Sequence, residues 1–482
     1  MIRYRPAVLR IVASGKKTDG MKKGMYRKGM QELLKRQNEY FIAGRTLDID
    51  YRIAQLKRLL QALHQNEEKL LAALQADLGK APFEGYETEL GFLYEEIRYI
   101  LRYLRRWTRP KRVRISWLHF PSKGYIYAEP LGSVLIISPW NYPLQLTIAP
   151  LAAAIAAGNC AVLKLPEEAV HLSALLAEII RDFFPPEYIA ACTGGPEVGE
   201  ALLQQPFAHI FFTGGQRVGR IVMEAAAKHL TPVTLELGGK SPCIVDATAD
   251  IPLATRRIAW GKLLNAGQTC VAPDYLLVHA SVAEQFAGCY QQAVKEMYGE
   301  NPLKNPEYPR IIHARHFDRL CRLMQEGNLL LGGESDPQTC RIAPALLDGV
   351  TWESAVMKEE IFGPILPILT YQDEEEIFAA VRHCPDPLAL YLFTRNSWLE
   401  RRVVREIPFG GGAINDTIIH LAASNLPFGG RGTSGMGQYH GKYGFDTFSH
   451  QKGILKKSLR MDIALRYPPY NNKLEQLKKL MK

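Results

Sequence analysis

Polar and apolar positions alternate at helical spacing from residue 30 to about residue 105. Between Leu56 and Leu74, leucines recur at steps of three and four, with Lys, Glu and Gln between them. That spacing predicts amphipathic helices from residue 30 to about residue 105, including one over residues 88–107. Two extended segments follow at 113–120 and 125–130, and the Pro-Ser-Lys-Gly stretch between them predicts a hairpin.

After residue 132, short apolar runs of the kind found in buried strands alternate with helical segments. The pattern predicts strands at 133–137, 160–165, 188–193, 209–212 and 232–237, separated by helices at 144–157, 172–184, 199–204 and 219–228. A second alternating set runs from residue 244 to about 393. Alternation of this kind builds mostly parallel sheets from βαβ units, so the chain is expected to contain two α/β domains.

Composition supports a globular protein of two or three packed units. The chain has 482 residues, of which 47% are hydrophobic and 22% charged. The net charge of +10 first suggests nucleic acid, but residues 1–30 hold nine Lys or Arg against one acid, Asp19. The remainder is nearly neutral, so we expect no nucleic-acid partner. We interpret residues 1–29 as a disordered basic extension, with lipid or nucleic-acid binding and an organelle address as alternatives.

The eight cysteines are scattered, and no CxxC pair occurs. This argues against a zinc ribbon and favours reduced, mostly buried thiols. Neither a signal peptide nor a spanning apolar segment is visible, so a cytoplasmic protein without an integral membrane anchor is expected. His313 and His316 lack a third ligand at a suitable spacing; we interpret them as surface residues and expect no metal site.

Glycines follow the predicted strand at 209–212 and precede a helix. Gly214, Gly215 and Gly219 stand where backbone N–H groups can bind a pyrophosphate. The spacing differs from the dinucleotide fingerprint GxGxxG, and glycines at such a junction are often simple turn formers.

Three further residues are candidates for catalysis. Cys270 is a nucleophile or a packing thiol. Glu236, at the end of an apolar strand, is a general base or a partner of Lys240 in a salt bridge. Asn141 either donates its amide to an oxyanion or caps a helix.

Together these segments resemble the aldehyde dehydrogenase superfamily, and most closely its class 3 branch of fatty and aromatic aldehyde dehydrogenases. The resemblance spans roughly residues 30–470. The matching motifs are PWNYP at 139–143, FTGG at 212–215, LELGGK at 235–240, GQTC at 267–270, EEIFGP at 359–364, LPFGG at 426–430 and SGMGQYHGK at 434–442.

The resemblance implies oxidation of an aldehyde to its carboxylate with NAD or NADP. Cys270 would form a thiohemiacetal and then a thioester, and the Asn141 amide and the Cys270 backbone N–H would hold the alkoxide. Glu236 would activate the deacylating water. A cofactor-independent cysteine esterase using the same residues is the alternative.

The same resemblance assigns binding residues. Two adjacent acids, Glu167 and Glu168, would repel a 2′-phosphate, which favours NAD over NADP. The implied cofactor contacts are Trp140, Lys164, Glu167, Gly214, Gly215, Gly219, Leu237, Glu360 and Phe362. The residues expected beside the aldehyde are Tyr142, Phe92 and Tyr94.

The implied architecture is an α/β, two-domain aldehyde dehydrogenase-like fold. A Rossmann-type cofactor domain (30–111 and 131–237) joins an α/β catalytic domain (238–435). A small bridging β-sheet (112–130 and 436–455) supports a homodimer. Residues 456–482 form a basic C-terminal tail that we expect to be solvated, with contact to a membrane surface as the alternative.

Overall fold

The computed structural model describes residues 19–481, with side chains from residue 26 onward. A π-helical turn, Tyr86–Leu90, connects α4 to α5. The helices are α1 (Asp19–Ile42), α2 (Ile49–Gln65), α3 (Glu67–Leu78), α4 (Pro82–Gly85), α5 (Gly91–Trp107), α6 (Gln145–Ala157), α7 (Val170–Phe183), α8 (Pro196–Leu203), α9 (Gln216–Ala227), α10 (Ile251–Leu263), α11 (Ala283–Tyr298), α12 (Ala314–Leu323), α13 (Ala355–Lys358), α14 (Glu374–Val381), α15 (Ser397–Glu406), α16 (Gly441–Thr447) and α17 (Lys473–Met481).

The strands form two large sheets and two small ones. They are β1 (Lys111–Val113), β2 (Ser122–Pro130), β3 (Ser133–Ile137), β4 (Cys160–Lys164), β5 (Ile189–Cys192), β6 (His209–Gly214), β7 (Val233–Leu237), β8 (Pro242–Val245), β9 (Tyr275–His279), β10 (Asn328–Leu331), β11 (Ser335–Asp336), β12 (Arg341–Ile342), β13 (Ala345–Asp348), β14 (Ile365–Tyr371), β15 (Ala389–Phe393), β16 (Gly411–Ile414), β17 (Gly435–Met436) and β18 (Ser449–Lys457).

The first large sheet has the order β17-β7-β6-β3-β4-β5, with β3 to β7 parallel and β17 antiparallel at the edge. All five parallel strands lie where the apolar runs predict them. Successive side chains of a strand face opposite sides of its sheet. Val134 and Ile136 accordingly join the core that contains α6, whereas Leu135 joins the core shared by α1, α8 and α9. Helices therefore cover both faces, which is the Rossmann-type layering.

The second large sheet has the order β10-β13-β14-β9-β8-β15-β16 and is parallel except for β10. It confirms the second α/β unit expected after residue 244. The sheet continues past the predicted end near 393, because β16 adds a strand beside β15. That strand is rich in glycine, which hides the apolar signature of a buried strand.

The third sheet joins β1, β2 and β18, all antiparallel. The hairpin is present, but its first strand is only three residues long rather than the eight predicted. Trp117–His119 instead form a 3₁₀ turn, where the Ser116 hydroxyl accepts a hydrogen bond from the Leu118 N–H. A local side-chain bond of this kind competes with strand pairing.

The N-terminal segment corrects the prediction of disorder over residues 1–29. Helix α1 begins at Asp19, and Tyr26, Met30 and Leu34 are buried at a four-residue step. Residues so spaced share one helical face, which packs on the core beside α8 and α9. The first 18 residues of the predicted extension lie outside the described residues.

The eight cysteines are all free, and none of them is exposed. Cys160 and Cys243 are buried, and the other six are half-buried. Across residues 19–481, helices both long and apolar enough to cross a bilayer are absent.

Candidate active site

A cavity of about 460 Å³ lies where the carboxyl ends of β6 and β7 meet the segment that follows β3. Open α/β sheets bind ligands at this edge. The structure brings most of the predicted residues to its wall. They are Cys270, Glu236, Asn141, Trp140, Tyr142, Gly214, Gly215, Leu237, Glu360, Phe362 and Phe92.

Tyr94 does not line this cavity, so its assignment to the substrate site is corrected. Its hydroxyl donates to Glu67 Oε2 at 2.6 Å, and its ring stacks on His64. Residues two apart on a helix point to different sides. Phe92 therefore faces the cavity, while Tyr94 faces the helical core.

Gly219 is also placed differently from the prediction of one glycine turn. The turn ends at Gly215, and Gly219 lies in the first turn of α9, outside the cavity wall. A Cβ there would approach Leu237 Cδ2 to 2.7 Å. Gly219 thus allows α9 to pack closely on β7, beside the predicted contact Leu237.

Lys164 is the last residue of β4 and Glu167 lies just beyond it, both outside the cavity wall but on the same edge of the sheet. Lys164 Nζ donates to Glu167 Oε2 at 2.8 Å and to the Leu165 carbonyl at 2.8 Å. The Glu167 side chain remains 39% exposed. This carboxylate is therefore oriented by a buried lysine and is still open to a ligand.

His316 is not the surface residue that the sequence suggested. It lines the cavity, its Nε2 lies 2.8 Å from the Phe362 carbonyl oxygen, and its ring packs on Trp140. Burial lowers the pKa of His316 to about 4, so the ring is neutral at physiological pH. Within residues 19–481 no set of three or more His, Cys, Asp and Glu side chains is placed to hold a metal.

Cys270 follows a backbone segment held in an uncommon conformation. Asn265, Ala266 and Gly267 all have positive φ, at 52°, 52° and 76°. A Cβ on Gly267 would approach the Gly363 carbonyl oxygen to 2.2 Å, so only glycine fits there. Such strain persists only where the surroundings over-determine it.

Gln268 supplies part of that constraint. Its Nε2 donates to the carbonyls of Asn265 at 2.9 Å and Arg310 at 3.0 Å, while its Oε1 accepts from the Ile312 N–H at 3.0 Å. The loop before Cys270 is thereby tied to a distant segment of the chain. This fixes where the thiol enters the cavity.

The resting thiol is protonated. Burial raises the pKa of Cys270 to about 12, with the carboxyl groups of Glu360 and Glu236 adding to the effect. Backbone N–H groups of Cys270 and Val271 act in the opposite direction by favouring the thiolate. Donors at this position suit an anion that develops on or beside sulfur during a reaction.

Glu236 is 3% exposed, and neither carboxyl oxygen has a hydrogen-bond partner among residues 19–481. The salt bridge with Lys240 is not formed, because Lys240 Nζ bonds to Asp274 Oδ2 instead. Burial raises the pKa of Glu236 well above its ordinary value. A buried carboxyl group with free oxygens and a raised pKa can exchange a proton with a molecule that enters the cavity.

The Asn141 side chain reaches across to the cysteine loop, where Nδ2 donates to the Gln268 carbonyl at 3.0 Å. It is not the cap of α6. Glu89 Oε2 serves that end by accepting from the N–H groups of Leu144 at 2.9 Å and Gln145 at 3.2 Å. Asn141 is therefore not needed to cap α6, and its amide group contacts the loop that carries Cys270.

Three charged residues behind Asn141 escaped the sequence analysis. Lys80 and Glu89 are fully buried and paired at 2.6 Å, and Glu84 Oε1 accepts from the Asn265 N–H at 2.7 Å. Charged residues recur throughout the predicted helical region, so nothing in the sequence marks these three. Glu89 lies in the π-helical turn Tyr86–Leu90, an element often found near functional sites.

The glycine turn fits a dinucleotide phosphate. Gly215 precedes α9, which has no side-chain cap and no acid in its first turn. A Cβ on Gly215 would meet nothing within 4 Å, so open space adjoins the positive end of this helix.

The segment carrying Glu360 is held rigidly at the other side of the cavity. Lys240 Nζ donates to the carbonyls of Val356 at 2.9 Å and Glu359 at 3.1 Å, and Asp274 Oδ1 accepts from the Ile361 N–H at 2.9 Å. Burial, reinforced by the Asp274 carboxylate, raises the pKa of Glu360 to about 8. Glu360 is thereby held in place at this side of the cavity.

Comparison with known proteins identifies this arrangement. Residues 25–454 match the model of the aldehyde dehydrogenase family. The chain is 47% identical to 4,4'-diaponeurosporen-aldehyde dehydrogenase of Staphylococcus aureus, covering 92% of this chain and 97% of that protein. It is 45% identical to aldehyde dehydrogenase family 3 member A2 of Pongo abelii, covering 91% of each. A dimeric NADP-preferring aldehyde dehydrogenase of Canis lupus familiaris is 44% identical, over 91% of this chain and 98% of that one.

Solved structures agree. Staphylococcus aureus AldH in its substrate-bound state superposes with a TM-score of 0.92 at 46% identity, covering 94% of this chain and 99% of that one. The chain therefore belongs to the aldehyde dehydrogenase family, with its high-identity relatives in family 3, and is an oxidoreductase that acts on aldehydes.

Proposed function

We propose that the protein oxidises aldehydes to carboxylates through a covalent adduct on Cys270, with NAD(P)⁺ as hydride acceptor. The observation that carries this proposal is the cavity itself. A buried carboxyl group, that of Glu236, has no hydrogen-bond partner within residues 19–481 and shares one cavity wall with a thiol and with the open glycine turn. A hydrolase would need the first two groups but would have no use for the third.

The first step is addition to the aldehyde. The Cys270 thiol loses its proton to solvent, Sγ bonds to the carbonyl carbon, and the carbonyl oxygen becomes an alkoxide. The Asn141 amide and the Cys270 backbone N–H donate to that alkoxide. Bound NAD(P)⁺ supplies the acceptor for the hydride that leaves this carbon, so that the Cys270 adduct becomes a thioester.

Deacylation is assigned to Glu236. In its ionised form it takes a proton from water, the hydroxide adds to the thioester carbon, and the carbon–sulfur bond then breaks to release the carboxylate and Cys270. Because burial raises the pKa of Glu236, its ionised fraction, and with it deacylation, grows as pH rises.

The residues at the coenzyme edge favour NAD⁺. Glu167 remains accessible just after β4, next to Glu168. Carboxyl groups at this position bind ribose hydroxyls and disfavour a 2′-phosphate. We infer a higher kcat/KM with NAD⁺ than with NADP⁺, although the canine relative is NADP-preferring by name.

The other end of the cavity is apolar, and we assign it to the aldehyde. Its wall includes Phe92, Trp260, Ile418, Leu421 and Phe428. Tyr142 lies closer to the thiol, with its hydroxyl bonded to Thr269 Oγ1 at 2.6 Å. Such a surface stabilises medium- or long-chain aliphatic and aromatic aldehydes by burying their apolar area.

The deciding experiment measures coenzyme reduction with decanal and NAD⁺, with NADP⁺ run in parallel. We expect one reduced coenzyme per decanoate formed. Turnover of p-nitrophenyl acetate without any aldehyde-dependent reduction would instead support the cysteine esterase, which uses the same Cys270 and Asn141.

Two further proposals concern assembly and compartment. We infer a homodimer through the β1–β2–β18 sheet, since Trp117, Phe120 and Leu455 are exposed there; light scattering at the mass of a monomer would contradict it. The eight free thiols support a cytoplasmic location.

A further inference from the structure

A fully buried ion pair stands behind the Asn141 segment. Lys80 Nζ lies 2.6 Å from Glu89 Oε1, and both side chains are 0% exposed. Lys80 Nζ also donates to the Asn141 carbonyl at 3.1 Å and sits 3.8 Å from the centre of the Tyr142 ring. The cation therefore contacts two consecutive residues of the loop that carries the oxyanion donor.

The second oxygen of Glu89 completes the arrangement. It accepts from the N–H groups of Leu144 and Gln145, where α6 begins. The single carboxylate thus joins Lys80 to the far end of the same loop. Residues 141–145 are held from both ends by one ion pair.

The cysteine loop meets this structure at the Asn141 carbonyl. Asn265 Nδ2 donates to that oxygen at 2.8 Å, alongside Lys80. Asn141 Nδ2 in turn donates to the Gln268 carbonyl, two residues before Cys270. The loop of the oxyanion donor and the loop of the nucleophile therefore share one hydrogen-bonded junction, to which Lys80 supplies the charge.

We propose that Lys80 and Glu89 are positioning residues that fix the Asn141 amide for oxyanion stabilisation. This inference rests on the role proposed above for Asn141. Lys80 and Glu89 do not line the cavity, so they act through Asn141 and not on the substrate. A buried ion pair adds little net stability compared with apolar packing, because desolvation offsets most of the attraction. Its contribution is geometric, since a shift of about 1 Å at a catalytic group can cost roughly a hundredfold in rate.

The test uses two variants. Lys80→Met keeps an unbranched side chain of similar size and removes the contacts of Nζ with Glu89, the Asn141 carbonyl and the Tyr142 ring. Glu89→Gln is the milder change. For Lys80→Met we expect kcat with decanal to fall about 10- to 100-fold with little change in the Kd of NAD⁺. Glu89→Gln is expected to show a smaller loss in the same direction. It also keeps the question answerable if Lys80→Met does not fold.

Arg52→Met is the matched control. Arg52 lies in α2 and is also a buried cation that contacts α6. It donates to the Ala156 carbonyl, at the C-terminal end of α6, and to the Thr46 carbonyl. Its loss should lower Tm without a selective loss of kcat. Equal kcat losses in the folded Arg52→Met and Lys80→Met proteins would reduce the pair to a structural role and overturn the proposal.

A second readout separates positioning from general damage. Alkylation of Cys270 by iodoacetamide forms no oxyanion, so its rate should stay near wild type in Lys80→Met while acylation by p-nitrophenyl acetate slows. A parallel fall in both rates would contradict the inference.

The double variant Lys80→Met/Asn141→Ala distinguishes failure of this inference from failure of the proposed function. Asn141→Ala alone should cost about 10²- to 10³-fold in kcat. If Lys80 acts through Asn141, adding Lys80→Met should cost almost nothing more. Additive losses would refute the positioning role, and an active Asn141→Ala would refute the oxyanion role beneath it.

Discussion

Buried polar groups at the cavity wall and in the layer behind it differ in whether they have hydrogen-bond partners. At the wall, both oxygens of Glu236 and the hydroxyl of Thr213 lack hydrogen-bond partners among residues 19–481. Behind it, Lys80 and Glu89 make hydrogen bonds through the ammonium and both carboxylate oxygens. Glu236, which would meet a substrate, is left unpaired among these residues, whereas the ion pair that contacts the Asn141 loop is satisfied.

This difference has an energetic consequence. An unpaired buried polar group costs about 1–3 kcal/mol of folding free energy, more if it is charged. The unpaired groups of the wall therefore lower the free energy of unfolding, while Lys80 and Glu89 behind it keep Asn141 in position. Substituting a reactive residue of the wall should mainly change the rate of reaction. Substituting Lys80 or Glu89 should mainly change the position of Asn141.

The largest effect is expected at the nucleophile. Cys270→Ser should lower dehydrogenase and esterase rates by at least about 10³-fold, because a hydroxyl is a much weaker nucleophile than a thiolate. Titration by fluorescence should show NAD⁺ binding close to wild type. If the affinity for NAD⁺ fell by the same factor as the rate, Cys270 would act through coenzyme binding and not as the nucleophile.

The next largest effect is expected for Glu236→Gln, which keeps the size of the side chain but cannot accept the proton of water. Steady-state turnover should fall by about 10²- to 10⁴-fold, while a rapid burst of one NADH per active site remains. Stopped-flow measurement separates the two phases. An unchanged steady rate would remove Glu236 from the role of base.

A smaller effect is expected at the glycine turn. Gly215→Ala places a methyl group in the open space before α9, so the KM for NAD⁺ should rise roughly five- to tenfold with Tm unchanged. Gly199→Ala is the matched control, because its Cβ also meets nothing within 4 Å but lies inside α8. The control should gain slightly in stability and keep its KM. Equal KM values for the two variants would argue against a phosphate at the turn.

The smallest effect is on stability. Because burial raises the folded-state pKa of Glu236, the stability it contributes is fully present below its unfolded pKa of about 4. That stability is lost as pH rises through the folded pKa. Glu236→Gln should therefore melt about 1–3 °C above wild type at about pH 8, and the difference should vanish near pH 4. A pH-independent difference in Tm would mean that ionisation of this carboxyl is not involved.

Much of the fold could be predicted from the sequence. Short apolar runs located the parallel strands, because burial on both faces demands continuous apolar residues. The helix predicted over residues 88–107 is present as the π turn plus α5, because burial of one helical face gives a three- to four-residue apolar repeat. The glycine-rich strand β16 was missed, since its residues carry no apolar signal.

The sequence by itself determined the layered α/β architecture and the identity of Cys270, Glu236 and Asn141 as reactive candidates, because strand burial and short motifs are local properties. Tertiary structure alone decided that Glu236 has no hydrogen-bond partner in the described part of the chain, that His316 faces the cavity and Tyr94 does not, and that Lys80 bonds to the Asn141 carbonyl. Those facts depend on contacts between segments that are distant along the chain, as for Lys80 and Asn141, which are 61 residues apart, and for His316, whose ring packs on Trp140. Partnership and orientation at such separations are set by packing in three dimensions and leave no periodic trace along the chain.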